Sequence, residues 1–223
     1  RMNHFDYFMM PGGDRVVEEP WRMALSCLCK YLGDDFDYTE LPSFRSIDLH
    51  KLMTVKEMMA TRVNSPLTCG AGRIFDAVSS LCGLCSAPGF DSEAPMRLEA
   101  SLKGESDMCY SYSVDKTISF KGMFLEIIED IRHGEVTWVP VRFHNTIVAI
   151  ILDVSRNLRS ATSLNKVILS GGVFQNKYLL ERSAGLLRKH GFDVFTNHHV
   201  PVNDGGISLG QLIIAAKKRE QCV

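Results

Sequence analysis

Two strand-to-helix turns in the last third of the chain constrain the fold more than any other feature. Lys166-Val167-Ile168-Leu169 reads as a short buried strand and runs directly into Ser170-Gly171-Gly172, ahead of a helical stretch over 176–189. Gly191 closes that helix, 192–196 reads as the next strand, and Asp204-Gly205-Gly206 opens a last helix through Lys218. Strand–helix–strand–helix order of this kind implies parallel strands covered by helices, and hence an α/β fold.

The first half is patterned differently. The apolar segment 4–10 predicts a strand that ends in the turn Pro11-Gly12-Gly13-Asp14. Pro20 stands where a helix begins, a position that tolerates its missing N–H. Trp21, Ala24, Leu25, Leu28 and Leu32 follow helical spacing as far as Gly33. A loop is expected over 34–46, a second helix over 47–60, and a break at Asn64-Ser65-Pro66. Ile74, Val78, Leu81 and Cys85 form a third helical stripe, and 94–102 a fourth short helix. Residues 1–105 are thus read as a strand with a mainly helical insertion, and 106–223 as the α/β nucleotide-binding part. In that second part, 108–114 and 118–120 are expected to be strands, 121–132 a helix, and 141–159 one long amphipathic, mostly buried helix.

Composition narrows the function classes. Charged residues make up 23% of the chain, and 25 Lys and Arg face 26 Asp and Glu. So balanced a total argues against non-specific nucleic-acid binding. No apolar run approaches the roughly 18 residues of a membrane span; the longest, 146–154, is interrupted by Asp153. Seven cysteines without a regular framework and no visible signal peptide point to a reduced, cytoplasmic protein. A first residue that is Arg1 rather than Met suggests a fragment of something longer.

Three stretches carry potential chemistry. In 168–176, Gly171 and Gly172 lie between a strand and a helix, where backbone without Cβ atoms lets a ligand come close and the helix N-terminus suits phosphate. The same residues also make a tight turn with Asn176 as the helix cap. The Gly-Lys-Ser/Thr ending of a P-loop is absent. In 201–206, Asp204 sits at the C-terminal edge of the parallel strands, where it either holds a divalent metal through its oxygens or caps the last helix. In 70–77, Arg73 and Asp76 share one helix face. Asp76 can accept hydrogen bonds from a ribose, or the two can form a local ion pair. Cys82 and Cys85 have redox or zinc spacing but no second pair, so packing on the third helix is expected of them. His198-His199 is expected in a solvated loop, and His144 as a satisfied, partly buried histidine.

Taken together, the blocks are more specific than any one of them. Pro11-Gly12-Gly13-Asp14, Glu19-Pro20-Trp21-Arg22-Met23-Ala24, Asn64-Ser65-Pro66-Leu67-Thr68 and Ala71-Gly72-Arg73-Ile74-Phe75-Asp76-Ala77-Val78 occur in that order. Arg142-Phe143-His144-Asn145, the run 169–176 and Asn203-Asp204-Gly205-Gly206-Ile207-Ser208-Leu209-Gly210-Gln211 continue it. Over nearly its whole length the chain resembles the C-terminal part of the HypF family, the carbamoyltransferases of [NiFe]-hydrogenase maturation.

The resemblance implies a lobe of the actin-like ATPase (ribonuclease H-like) fold. It implies transfer of a carbamoyl group from carbamoyl-adenylate to the C-terminal cysteine thiol of the partner HypE, with ATP or carbamoyl-adenylate as the nucleotide and a divalent metal. It places Gly171, Gly172 and Asn176 at the nucleotide phosphates, Arg73 and Asp76 at the nucleoside, and Asp204 at the metal. No residue stands out as a nucleophile, which fits attack by the partner's thiolate. Two departures accompany the match. The family's upstream domains and metal-binding histidines are absent, and Phe90-Asp91-Ser92-Glu93-Ala94 stands where many relatives read Tyr-Glu-Gly-Gln-Ala. The alternatives are a non-catalytic partner-binding fragment and an ATP-dependent kinase of the same fold.

Overall fold

The computed structural model describes residues 1–33, 36–104 and 106–221. In chain order the elements are β1 (His4–Phe5), β2 (Phe8–Met9), α1 (Arg15–Glu18), α2 (Trp21–Leu32), α3 (Leu49–Thr61), β3 (Leu67–Thr68), α4 (Ala71–Leu81), α5 (Glu93–Ala100), β4 (Ser113–Val114), β5 (Thr117–Ser119), α6 (Lys121–Arg132), α7 (Val139–Thr162), β6 (Lys166–Leu169), α8 (Lys177–Lys189), β7 (Asp193–Thr196) and α9 (Ile207–Gln221). They gather into two compact units, Arg1–Val154 and Ser155–Val223.

The first unit is organised around α4. Every residue from Ile74 to Leu81 is buried, including the polar Asp76, Ser79 and Ser80. On one side lies α2, which buries the unbroken run from Trp21 to Leu28. On another lies α5, through Ala94 and Leu98. Phe75 meets Phe143 of α7 edge-on, with ring centroids 4.7 Å apart. Each such large side chain contributes roughly 1.5–3 kcal/mol through burial. His144, fully buried next to Phe143, brings its Nδ1 within 2.7 Å of the Pro140 carbonyl. Burial holds its pKa down, at about 4. It is a satisfied core residue, more deeply buried than its sequence context suggests.

The rest of the Arg142–Asn145 block clamps the irregular segment 106–112. Arg142 pairs with Asp130, which also accepts the Tyr110 hydroxyl at 2.6 Å. Asn145 donates to the carbonyls of Ser106 and Met108, and the Thr146 hydroxyl accepts the Tyr110 N–H. Side chains thus satisfy this backbone, and the strand expected over 108–114 shrinks to Ser113–Val114. Gly122 lets the segment approach α6: a Cβ there would stand 2.9 Å from the Ser111 carbonyl oxygen.

Other expectations shift for local reasons. The strand over 4–10 divides because the chain changes partner: β1 pairs in parallel with β5, whereas β2 pairs antiparallel with β3. β3 itself was not expected. The expected strand over 118–120 pairs over Thr117–Ser119. The loop over 34–46 holds a 3-10 turn at Tyr38–Glu40 with Asp37 as its cap; Asp34 and Asp35 lie outside the described residues. The third helix stops at Leu81, with Gly83 at φ +69°, so Cys85 lies beyond it. The long helix extends from Val139 to Thr162. Ser92 takes the left-handed conformation (φ +65°, ψ +13°) just ahead of α5.

The second unit holds the strand–helix pattern read from sequence. β6 and β7 pair in parallel, Lys166 with Asp193 through Leu169 with Thr196. α8, which connects them, buries Leu179, Ser183, Ala184 and Leu187, a stripe of helical period. Arg159 fastens the turn after α8: its guanidinium lies 4.0 Å from the Phe192 ring centroid and donates to the His190 carbonyl. One face of the strand pair is open, with the register partners Ile168 and Phe195 72% and 51% exposed. α9 leaves Leu212, Ile213 and Ile214 exposed as well.

Three glycine-related substitutions test this account by thermal and denaturant unfolding. Gly122→Ala is expected to cost about 1–3 kcal/mol, because the contact is with backbone. Gly185→Ala, in the interior of α8 with open space around it, is expected to stabilise by about 1 kcal/mol. Ser92→Gly is expected to stabilise by roughly 0.5–1 kcal/mol by relieving the left-handed backbone.

Candidate nucleotide site

The second unit brings Gly171, Gly172, Asn176 and Asp204 into one neighbourhood. Because β6 and β7 are parallel, the loops that follow them lie at the same sheet edge, where open α/β sheets bind ligands. The two loops are joined by the Gly171 N–H, which donates to the Val202 carbonyl at 3.1 Å. Gly171 has φ +110°, a conformation closed to other residues at ordinary cost. Gly172 differs. Its φ is ordinary, and an added Cβ would meet nothing closer than 4.0 Å. The fold does not demand glycine at 172, whereas close passage of a ligand would.

Asn176 is the cap of α8, its Oδ1 accepting the Leu179 N–H at 2.8 Å. The capping alternative raised for Asp204 belongs to its neighbour. Asn203 Oδ1 accepts the Gly205 N–H, and a 3-10 turn over Asp204–Gly206 leads into α9. Gly206 is fixed by contact, since a Cβ would lie 2.6 Å from the Pro201 carbonyl oxygen. Asp204 is exposed, and its carboxylate has no partner among the described residues. It does not make a metal site by itself. Mg²⁺ takes about six ligands and Zn²⁺ about four, and no group of three metal-ligating side chains occurs among the described residues. His198 and His199 are exposed, His198 Nε2 lying 3.2 Å from the Thr196 hydroxyl.

Arg73 and Asp76 lie in the first unit. They do form the local ion pair, Nη2 to Oδ2 at 3.1 Å. Yet Asp76 Oδ2 and Arg73 Nη1 are buried without a hydrogen bond of acceptable geometry. Proximity gives attraction here, but the orientation leaves one carboxylate oxygen without a donor. Burial raises the Asp76 pKa to about 6; Arg73 opposes the shift and the charge of Asp91 adds to it. An ionised carboxylate with an orphaned oxygen is an acceptor in search of hydroxyl or N–H donors.

Asp91 and Glu93 are distinguished by their contacts. Glu93 is engaged, accepting the Gly89 N–H at 2.5 Å and pairing with Arg97. Asp91 is exposed and lines, with Asp14, Glu18, Gly89 and Phe90, a cleft of about 420 Å³. Cys82 and Cys85 have no ligand-like company. Burial pushes the Cys82 thiol up to about 12, and Cys85 is raised too, so both stay protonated and inert.

Residues 1–211 match the family described as carbamoyltransferase, Kae1-like domain, second subdomain. The carbamoyltransferase HypF of Synechocystis sp. is 27% identical over 99% of this chain and 30% of its own length. That of Rhodobacter capsulatus is 31% identical over 94% of the chain and 27% of its own. Among solved structures, full-length HypF in a phosphate- and nucleotide-bound form has a TM-score of 0.87 at 35% identity, over 97% of this chain and 34% of that one. T. kodakarensis HypF, at 21% identity, shares the fold with a TM-score of 0.81, over 99% of this chain and 30% of that one. The chain therefore spans about a third of the length of the relatives it matches. With its mixed helices and parallel strands, its fold is the Kae1-like, actin-like one, and the chain belongs to the HypF carbamoyltransferase family.

Proposed function

We propose that this chain supplies part of the nucleotide site of a carbamoyltransferase that moves a carbamoyl group from carbamoyl-adenylate to the C-terminal cysteine thiol of HypE. The observation that carries the reading is the buried carboxylate of Asp76, whose Oδ2 has no hydrogen-bond donor among the described residues. Ribose hydroxyls are donors that complete it, and a charge-assisted bond of that kind is worth more than a neutral one. A relative's structure described as phosphate- and nucleotide-bound supports a nucleotide as the ligand of this family. The charge of Asp91 is felt at Asp76 and adds to the rise in its pKa.

Gly171 and Gly172 present backbone to the nucleotide, with room at 172 that a side chain would fill. In the transfer, the acceptor thiol gives up its proton and the thiolate attacks the carbamoyl carbon. A C–S bond forms, the C–O bond to the adenylate phosphate breaks, and AMP leaves with the electron pair. The family's divalent ion would supply Lewis-acid stabilisation of the developing negative charge, but the donor set here does not fit it. Asp204 can serve as one ligand among several only if the others come from outside the described residues. After desalting, this chain alone is expected to retain well under one equivalent of Mg²⁺ or Zn²⁺ by elemental analysis. Stoichiometric metal lost in Asp204→Ala would overturn that expectation.

Two measurements test the nucleotide assignment in the natural full-length protein. Gly172→Val should fold with a stability change below about 1 kcal/mol, since its site is open, yet lose binding of a non-hydrolysable ATP analogue. Normal affinity in that variant would remove Gly172 from the site. An ionised Asp76 accepts from a ribose hydroxyl more strongly than a protonated one, so affinity should be full well above pH 6 and fall as pH drops through about 6. Asp76→Asn should weaken binding and erase that inflection.

A further inference from the structure

Three of the sequence blocks leave no trace in the nucleotide site, yet they come together in the first unit. Backbone ties Pro11–Asp14 to Asn64–Pro66, the Gly12 N–H donating to the Asn64 carbonyl at 2.8 Å and the neighbouring Met10 N–H to that of Pro66, and the Arg22 side chain of Glu19–Ala24 reaches the Pro11 carbonyl. They flank a cleft of about 430 Å³ against the start of α3, lined by Gly12, Arg15, Arg22, His50, Lys51 and Asn64 among others.

Arg22 is the unusual member. It is 5% exposed, a burial that charged side chains reach only when paired. Its Nε donates to Glu19 at 2.6 Å and its Nη1 to the Pro11 carbonyl at 3.3 Å. Nη2 has no partner among the described residues. Two of its five N–H groups are used, and Nη2 is not among the buried atoms that lack a partner, so its donors stay accessible to solvent. Gly12 makes room for this guanidinium: at φ +92°, a Cβ there would come within 3.1 Å of Nη1. The Trp21 ring lies beneath both Arg22 and Lys51, at 5.2 and 5.5 Å. Glu19 bridges the same two cations.

The charge balance favours an anion. Arg15, Arg22 and Lys51 face two carboxylates, Glu19 and Asp48. Asp48 is turned to its own helix, Oδ1 accepting the Lys51 N–H at 3.0 Å. Arg15 is exposed and makes no ion pair among the described residues. One positive charge is left over, and His50 adds another when protonated. Arg22, Arg15, His50 and Lys51 line the same space, and guanidinium and ammonium groups are the usual partners of an oxyanion.

We propose that this cleft binds an oxyanion end group, a phosphate or a carboxylate, with Arg22 at its floor and Arg15, His50 and Lys51 at its rim. The site is separate from Gly172 and Asp76 in its residues, and the proposal does not depend on the nucleotide assignment.

Trp21 provides the readout. In the natural full-length protein with Trp138, the chain's other tryptophan, changed to Phe, and any further tryptophans likewise replaced, fluorescence is titrated with three probes. They are inorganic phosphate, a short peptide with a free C-terminal carboxylate, and the same peptide amidated. Saturable change with phosphate identifies a phosphate site; change with the free peptide but not the amide identifies a carboxylate site. Either should weaken by about tenfold in Arg15→Ala, which alters only an exposed side chain, and in Arg22→Lys, checked for folding by circular dichroism. No response to phosphate or free peptide up to about 20 mM, far above useful affinity, would overturn the proposal. So would equal responses to peptide and amide, or unchanged affinity in folded Arg15→Ala.

Discussion

The burial of α4 on all sides is the constraint to which the rest of the first unit answers. A helix enclosed over eight consecutive residues has no solvent face on which to place polar groups. Asp76, Ser79 and Ser80 are therefore inside, and of these the carboxylate costs most. With its pKa raised from 3.8 to about 6, folding disfavours its ionised form against its protonated form by on the order of 3 kcal/mol compared with the unfolded chain. The sign follows from the direction: stability from this group is complete below its unfolded pKa and is lost as pH rises through about 6. His144, with its pKa lowered from 6.5 to about 4, acts in the opposite sense. Its stability contribution is complete above 6.5 and is lost as pH falls toward 4. The two nearly offset one another across that interval.

Arg73 only partly compensates Asp76. It is one-fifth exposed and its guanidinium is badly oriented, with one nitrogen buried and unpaired. A pair built for stability alone would gain more from better hydrogen-bond geometry, or from apolar replacement. Sites that meet a ligand often retain such local cost. In the other unit the same logic distinguishes the glycines. Gly171 and Gly206 answer to backbone conformation and backbone contact, while Gly172 answers to neither.

Much of the fold was legible because period and punctuation agreed. β6 runs into Ser170-Gly171, Gly191 separates α8 from β7, and α2 begins and stops at Pro20 and Gly33. Two-residue strands such as Leu67–Thr68 carry no alternation to read. The segment 106–112 has strand-like composition, but Asn145, Thr146 and Glu126 take its backbone hydrogen bonds. The candidate residues themselves were legible from order and resemblance. Their chemistry was not: spacing on α4 brings Arg73 and Asp76 together but cannot show that Oδ2 is left without a donor. Nor does any local pattern around Asp204 show that Asn203 is the cap. The cleft at Arg22 draws on residues more than forty positions apart, which only tertiary contact reveals.

The contrast between Gly172 and Gly206 has a meaning for descent. Position 206 is closed to any side chain by the Pro201 carbonyl, so it should stay glycine in every lineage that keeps this loop, active or not. No contact of the fold holds position 172, so on the proposed assignment only the nucleotide does. In a lineage that gave up the nucleotide and kept the fold, 172 is free to drift while 206 is not. The identity of one residue then becomes a record of whether the ancestral activity is still under selection.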